Sequence, residues 1–388
     1  MAAIRAFAIT ADAIAAERAR VGDDLAAFDF ARVVREEALE LPRLGPDDVR
    51  VRVLAASVEH NVIHAALADT VNIVALRGGK IVPGNCFVAE VVETGARATA
   101  FRPGDVVLSG ANPENDPWGY PLRAYAYDQP GSIGCYAEET VVRAAQLRIA
   151  PLECGLSLWQ LAAAPLRAAT AHHLWRRGEG IFRLKVPREK LARLNVLAFG
   201  GGVSELFLAL ARTEGHRAFY CAGNAERRAA LAAEGIEPID QTAFHRFAAP
   251  EDLRAFARTV KRLTRGAGMH VVCDMFRGPL FPAGLAALGR EGVNVSAGWQ
   301  LDTRCTYNSA AMSLQQVTID HAHFETIDGC GAALELFGSV FRPHVHTEVY
   351  AFADLPRALG ELHRNVQSGI PVVRVAASLP PAVAALVP

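Results

Sequence analysis

From Asn195 onward the sequence alternates short apolar runs with stretches of helical period, and this alternation constrains the fold more than any other feature. Asn195-Val196-Leu197-Ala198-Phe199 is a short apolar run, as a strand covered on both faces requires. Glu205 to Arg212 then reads as a helix, Ala218 to Cys221 as a strand and Glu226 to Glu234 as a helix. Gly268 to Asp274 and Gly292 to Gly298 read as further strands. The order predicts an α/β unit with a doubly wound parallel sheet of the Rossmann type.

The first of these strands runs into Gly200-Gly201-Gly202-Val203-Ser204-Glu205. Glycines here permit a sharp turn and let backbone amides at a helix N-terminus approach a pyrophosphate. Gly200 and Gly202 meet two demands of a G-x-G-x-x-G pattern, but Glu205 stands third, where its carboxylate is expected near the phosphates. Ser204 is small enough to take the third role. At the tip of the second strand, Cys221-Ala222-Gly223-Asn224 offers no acid to grip a ribose 2′-hydroxyl. Arg227 and Arg228 follow directly and would welcome a 2′-phosphate, so NADPH is the expected cofactor.

The first half has a different texture. Val49 to Leu54 and Phe87 to Glu93 alternate with period two, and Phe101 to Asp105 places a turn before Val106-Val107-Leu108. Short strands at this spacing predict a small, mainly β domain. Near residue 155 helical stretches begin: Ser157 caps one through Trp159 to Ala164, and a second covers Ala168 to Trp175. The segment Arg176 to Arg193 carries seven basic residues against Glu179 and Glu189. It reads as a solvated connector, or alternatively as a dock for a phosphorylated carrier.

At 388 residues the chain is too long for one ordinary core. Forty Lys and Arg against 41 Asp and Glu remove the electrostatic footprint of a nucleic-acid binder. The seven cysteines form no CxxC pair, which fits reduced thiols and a cytoplasmic location. Arg5, Asp12, Glu17 and Arg18 interrupt the first alanines, so no secretory leader is expected. No run of about 18 apolar residues predicts a membrane span.

Several further stretches, in this order, resemble the medium-chain dehydrogenase/reductase superfamily, and within it the crotonyl-CoA reductase/carboxylase branch. They are Ser57-Val58-Glu59-His60-Asn61-Val62-Ile63-His64-Ala65-Ala66-Leu67, Trp118-Gly119-Tyr120, Gly131 to Glu138, Cys221 to Arg227, His323-Phe324 and His363-Arg364-Asn365. The resemblance implies a GroES-like catalytic domain over 1–155 and 341–388, with a Rossmann-type NADP-binding domain over 156–340. It also implies a homodimer that reduces an enoyl thioester, hydride to the β-carbon and proton to the α-carbon, on CoA or an acyl carrier protein. The glycine loop is about two residues shorter than the family's G-A-S-G-G-L-G. Glu59 and Pro83-Gly84-Asn85-Cys86 stand where zinc-dependent members carry their ligands, so no metal is expected. Carboxylating members follow W-G-Y/F with Glu; Pro121 stands here, which favours simple protonation.

By the same resemblance Glu59, His60, Asn61 and His323 form the catalytic set, with Asn61 on the thioester carbonyl and His323 as the best acid. Thr170, Gly200, Gly201, Gly202, Ser204, Asn224, Arg227, Ser296 and Gly298 form the cofactor set. His64 reads as a satisfied histidine, Asp274 as a ligand-edge acid or a turn cap, and of His172-His173 one must point away from any given face. Glu205 and the altered loop also motivate a redox-inactive lyase, isomerase or cyclase. A non-catalytic binding subunit is the third reading.

Overall fold

The computed structural model describes residues 3–68, 71–110, 112, 114–247, 249–298, 304–323 and 325–388. Phe324, part of the His323-Phe324 match, lies outside them. The chain forms two compact units, Met1–Leu166 with Thr326–Pro388, and Arg167–Glu325.

In the first unit Asp48–Ser57 is the central strand. Its period-two pattern buries Val49, Val51 and Val53 while Arg50 and Arg52 stay half-exposed. It pairs antiparallel with Phe87–Thr94, with Glu139–Arg143 and with Ile370–Arg374 from the C-terminal segment. A separate three-stranded sheet joins Ile4–Thr10 to Val34–Leu39 and Lys80–Ile81. The unit's larger apolar core includes Phe7, Val53, Phe87 and Tyr136, and a smaller cluster gathers Ile4, Leu41 and Val82.

The two helices expected over Trp159–Ala164 and Ala168–Trp175 are one helix, Leu158–Lys185, which absorbs half of the basic connector. Pro165 lies inside it and removes a backbone N–H from the ladder. Beside that break the Cys86 thiol donates to the Ala162 carbonyl at 3.3 Å and accepts from the Leu166 amide at 3.5 Å. The cysteine therefore bridges one helical turn that proline has loosened.

The second unit is a six-stranded parallel sheet in the order Glu237–Asp240, Arg217–Ala222, Asn195–Phe199, Met269–Cys273, Leu288–Ser296 and Thr318–His321. Asn195–Phe199 is buried at all five positions, as its apolar run requires. Gly178 brings the long helix onto this sheet; a Cβ there would stand 2.7 Å from Val271. Four of the seven cations of the expected connector are bonded, while Arg176, Lys190 and Arg193 are exposed. Arg177 pairs with Asp320 at 2.6 Å, Lys185 reaches the Glu291 carbonyl at 2.8 Å, and Arg183 and Arg188 both hold Glu179. No described helix is long and apolar enough to cross a membrane.

At the amino edge of the sheet two buried histidines receive strand amides. His270 Nδ1 accepts from Asn195 at 2.7 Å, and His216 Nδ1 from Leu194 at 3.3 Å. Burial, then the positive charge of Arg183, pushes each ring from 6.5 down to about 4. The folded state thus prefers neutral rings, so the stability they confer is complete above pH 6.5 and falls away toward pH 4. Linkage sets the loss on the order of 3 kcal/mol per histidine. Urea unfolding across this range should show that slope, and His270→Asn, which keeps an acceptor without a titrating ring, should roughly halve it, leaving the share of His216.

Candidate active site at the carboxyl edge of the parallel sheet

The glycine loop leaves Asn195–Phe199 and enters the helix Gly202–Thr213. Gly201 has φ +91°, a conformation glycine adopts without strain. Amides of the first helical turn have no partner within the ladder and point off its end, which suits an anionic ligand. Ser204 is fully buried, and its hydroxyl donates to the Phe199 carbonyl at 2.6 Å, tying helix to strand.

Glu205 does not approach the anion position. It is buried at 3% exposure and forms an ion pair with Arg227, whose Nε donates to it. The expectation that Arg227 meets a 2′-phosphate is corrected by the same contact: burial lowers its pKa to about 10, and its charge is spent on Glu205. Arg228 donates to the Ala222 carbonyl at 2.6 Å and pairs with Asp240 at 3.0 Å. Asn224 accepts from the Arg227 amide at 2.9 Å, so its side chain caps the helix Ala225–Ala233 instead of facing a ligand. The strand Arg217–Ala222 itself ends without a carboxylate; Asp240, beside Ala222 on the neighbouring strand, is paired with Arg228, and the loop with its helix N-terminus fits a dinucleotide.

Further along the edge, Asp274 is buried and caps its own turn, accepting from Phe276 and Arg277 at 2.9 and 3.0 Å. Burial raises its pKa. Ser296 Oγ lies 3.2 Å from His321 Nδ1, and Arg277 Nε donates to the Gly298 carbonyl at 2.9 Å. Burial first, then Arg277, lowers the pKa of His321. His323, an exposed residue, follows this strand.

Thr170, His172 and His173 lie on the long helix, and both histidines meet Glu325. His172 Nδ1 is 2.9 Å from one carboxylate oxygen and His173 Nδ1 is 3.2 Å from the other. Neither ring turns away, contrary to the expectation for adjacent helical residues. They differ by about 100° around the helix, and the carboxylate lies between them. Sequence reasoning missed Glu325 altogether, since 152 residues separate it from His173 and no motif joins them.

In the first unit Glu59 is the N-cap residue of the helix His60–Leu67, with 6% exposure, and accepts from the Ser57 hydroxyl. Tyr136 donates to the Ser57 carbonyl at 2.9 Å, which holds the end of the strand. His60 and Asn61 are half-buried in the first helical turn. Asn115 bridges to Pro121 across the loop that carries Trp118 and Tyr120. Among the described residues one trio of metal-type donors, Glu179, Glu214 and His216, lies within 4.8 Å. Arg183 and Arg188 already neutralise Glu179, and His216 uses the Nδ1 lone pair on Leu194, leaving its hydrogen on Nε2. That donor set does not fit a cation.

The Alcohol dehydrogenase GroES-like domain matches residues 45–152. The crotonyl-CoA carboxylase/reductase of Cereibacter sphaeroides is 25% identical over 361 residues, covering 85% of this chain and 80% of that one. The crotonyl-CoA reductase of Streptomyces collinus is 22% identical, covering 88% and 81%. A solved 2-octenoyl-CoA carboxylase reductase in complex with NADP and 2-octenoyl-CoA shares the fold, with TM-score 0.79, 22% identity and 99% and 90% coverage. The chain thus carries a GroES-like domain, is similar along most of its length to crotonyl-CoA carboxylase/reductases, and shares with them a GroES-like unit and a Rossmann-type parallel sheet.

The Glu205–Arg227 pair should behave as a buried ion pair. Arg227→Met alone should cost roughly 3–5 kcal/mol in urea unfolding, because it strands a buried carboxylate. Adding Glu205→Gln should recover most of that loss, giving a strongly non-additive double-mutant cycle.

Proposed function

We propose that the protein is an NADPH-dependent reductase of the C=C bond in an enoyl thioester carried by CoA or an acyl carrier protein. The observation that carries this reading is the glycine loop with Glu205 folded beneath it. The one charge that argued against a bound pyrophosphate is buried against Arg227, and the first-turn amides face the edge. Similarity to crotonyl-CoA carboxylase/reductases along most of the chain supports the substrate class. A neighbour of the same fold in complex with NADP supports the cofactor.

Reduced nicotinamide supplies hydride for the β-carbon. Gly200 and Gly201 leave space for the dinucleotide, since a Cβ on either would meet nothing closer than the Phe276 ring at 3.4 Å, and Gly202 opens the helix that follows. We assign Ser296 and Gly298, at and just past the end of their strand, to the nicotinamide, together with Thr170 on the long helix. We assign Asn61 and His60, in the first turn of their helix, to the thioester carbonyl, and Glu59, which accepts from Ser57, to the same set. The α-carbon then takes a proton. Pro121 has no side-chain donor or acceptor, so we assign protonation rather than capture of carbon dioxide. The chemistry needs no zinc: Glu59 is engaged by Ser57, and Cys86 is engaged by the long helix. We assign a cytoplasmic homodimer.

Saturating NADPH should raise the unfolding midpoint by about 5 °C. Crotonyl-CoA should then be reduced at the same rate with and without bicarbonate, giving only the saturated, uncarboxylated thioester by mass spectrometry. No thermal shift with NADPH sinks the reductase reading, and turnover of a thioester without nicotinamide favours the lyase, isomerase or cyclase. A carboxylated product sinks the assignment of protonation alone.

A further inference from the structure

We propose that His172 is the proton donor of this reaction, with Glu325 and His173 as its positioning residues; the proposal rests on the reductase reading above. An ionised carboxylate only accepts hydrogen bonds. Facing Glu325 at 2.9 and 3.2 Å, His172 and His173 must therefore each carry a hydrogen on Nδ1. The outer nitrogen, Nε2, is then the exchanging atom of each ring: a lone pair when neutral, an N–H when protonated. One carboxylate between the two imidazoles balances the charge of one protonated ring. The His173 side chain is 6% exposed and that of His172 16%, so His172 has the path outward.

Position supports the assignment. Along the helix Lys185 bonds Thr318 at 3.0 Å, Arg177 bonds Asp320 and His172 bonds Glu325, so the helix runs antiparallel to the last strand. His172 consequently lies beyond the carboxyl end of that strand. Ligands of open α/β sheets bind outside the carboxyl ends of the strands. His321 is tied to Ser296, and Arg177 and Asp320 neutralise each other one turn away. His323, the acid expected from the sequence, is an exposed residue past the same strand.

The step balances. Hydride from the reduced nicotinamide adds to the β-carbon, and the C=C electron pair moves to the α-carbon and the thioester carbonyl. That pair takes the proton from His172 Nε2 to form the new C–H bond. The N–H pair returns to the ring, and water reprotonates it. Glu325 holds the ring orientation and its Nδ1–H throughout.

Imidazole ¹⁵N spectra of the protein alone test the arrangement without any ligand. His172 and His173 should both show hydrogen on Nδ1, and Glu325→Gln should shift both signals. A neutral His172 with hydrogen only on Nε2 overturns the proposal. In kinetics with crotonyl-CoA, His172→Ala should lower kcat by about 10²- to 10⁴-fold, with NADPH affinity and KM little changed. Added imidazole should restore part of the rate. A His172→Ala protein within about threefold of wild-type kcat, or one that imidazole does not rescue although it binds NADPH normally, removes His172 as donor and leaves the reductase reading intact. Wild-type protein that neither binds nor consumes NADPH overturns both.

Discussion

The contact between the long helix and the parallel sheet sets where everything at the carboxyl edge can be. Gly178 has no side chain, and the space its Cβ would need is filled by Val271 and Val295. Close approach at that point, with Lys185 and Arg177 bonded along the outer strands, fixes both the rotation and the height of the helix. A helix held this way rises 1.5 Å per residue, so its residues at 170–173 must come out past the strand ends. Two consecutive histidines then reach one buried carboxylate that arrives from the other side of the sequence.

Charge is handled in the same economical fashion across the second unit. Arginines that look like a polyanion dock in sequence are consumed by local acceptors: Arg183 by Glu179 and the Leu191 carbonyl, Arg188 by Glu179, Arg227 by Glu205. A buried guanidinium without a carboxylate would be costly, as would Glu205 without Arg227. Such pairs add little net stability over apolar packing, but they decide which side chains remain open to a ligand. At the nucleotide edge that leaves backbone amides and glycine space, rather than charged side chains, as the features that face outward.

Much of the fold was legible because the cues are local. Asn195–Phe199 reads as a doubly covered strand from its own residues, and Val49 to Val53 alternates because one face is buried. The Pro165 helix is a case where local reading fails. Proline argues for a break, but the Cys86 thiol, 79 residues earlier, reaches both sides of the gap. The sequence alone does not reveal that this sulfur is occupied by a helix.

Taken by itself, the sequence determined the two kinds of unit, the parallel order of the second and the glycine loop that opens it. Those follow from periodicity and from glycine's freedom at φ +91°, which are properties of short stretches. Only the tertiary structure decided where charge goes. It turned Glu205 and Arg227 onto each other, made Asn224 a cap, and gathered His172, His173 and Glu325 into one group. The physical reason is that burial selects partners by distance in space, and a carboxylate 152 residues from its imidazole leaves no trace in spacing or pattern.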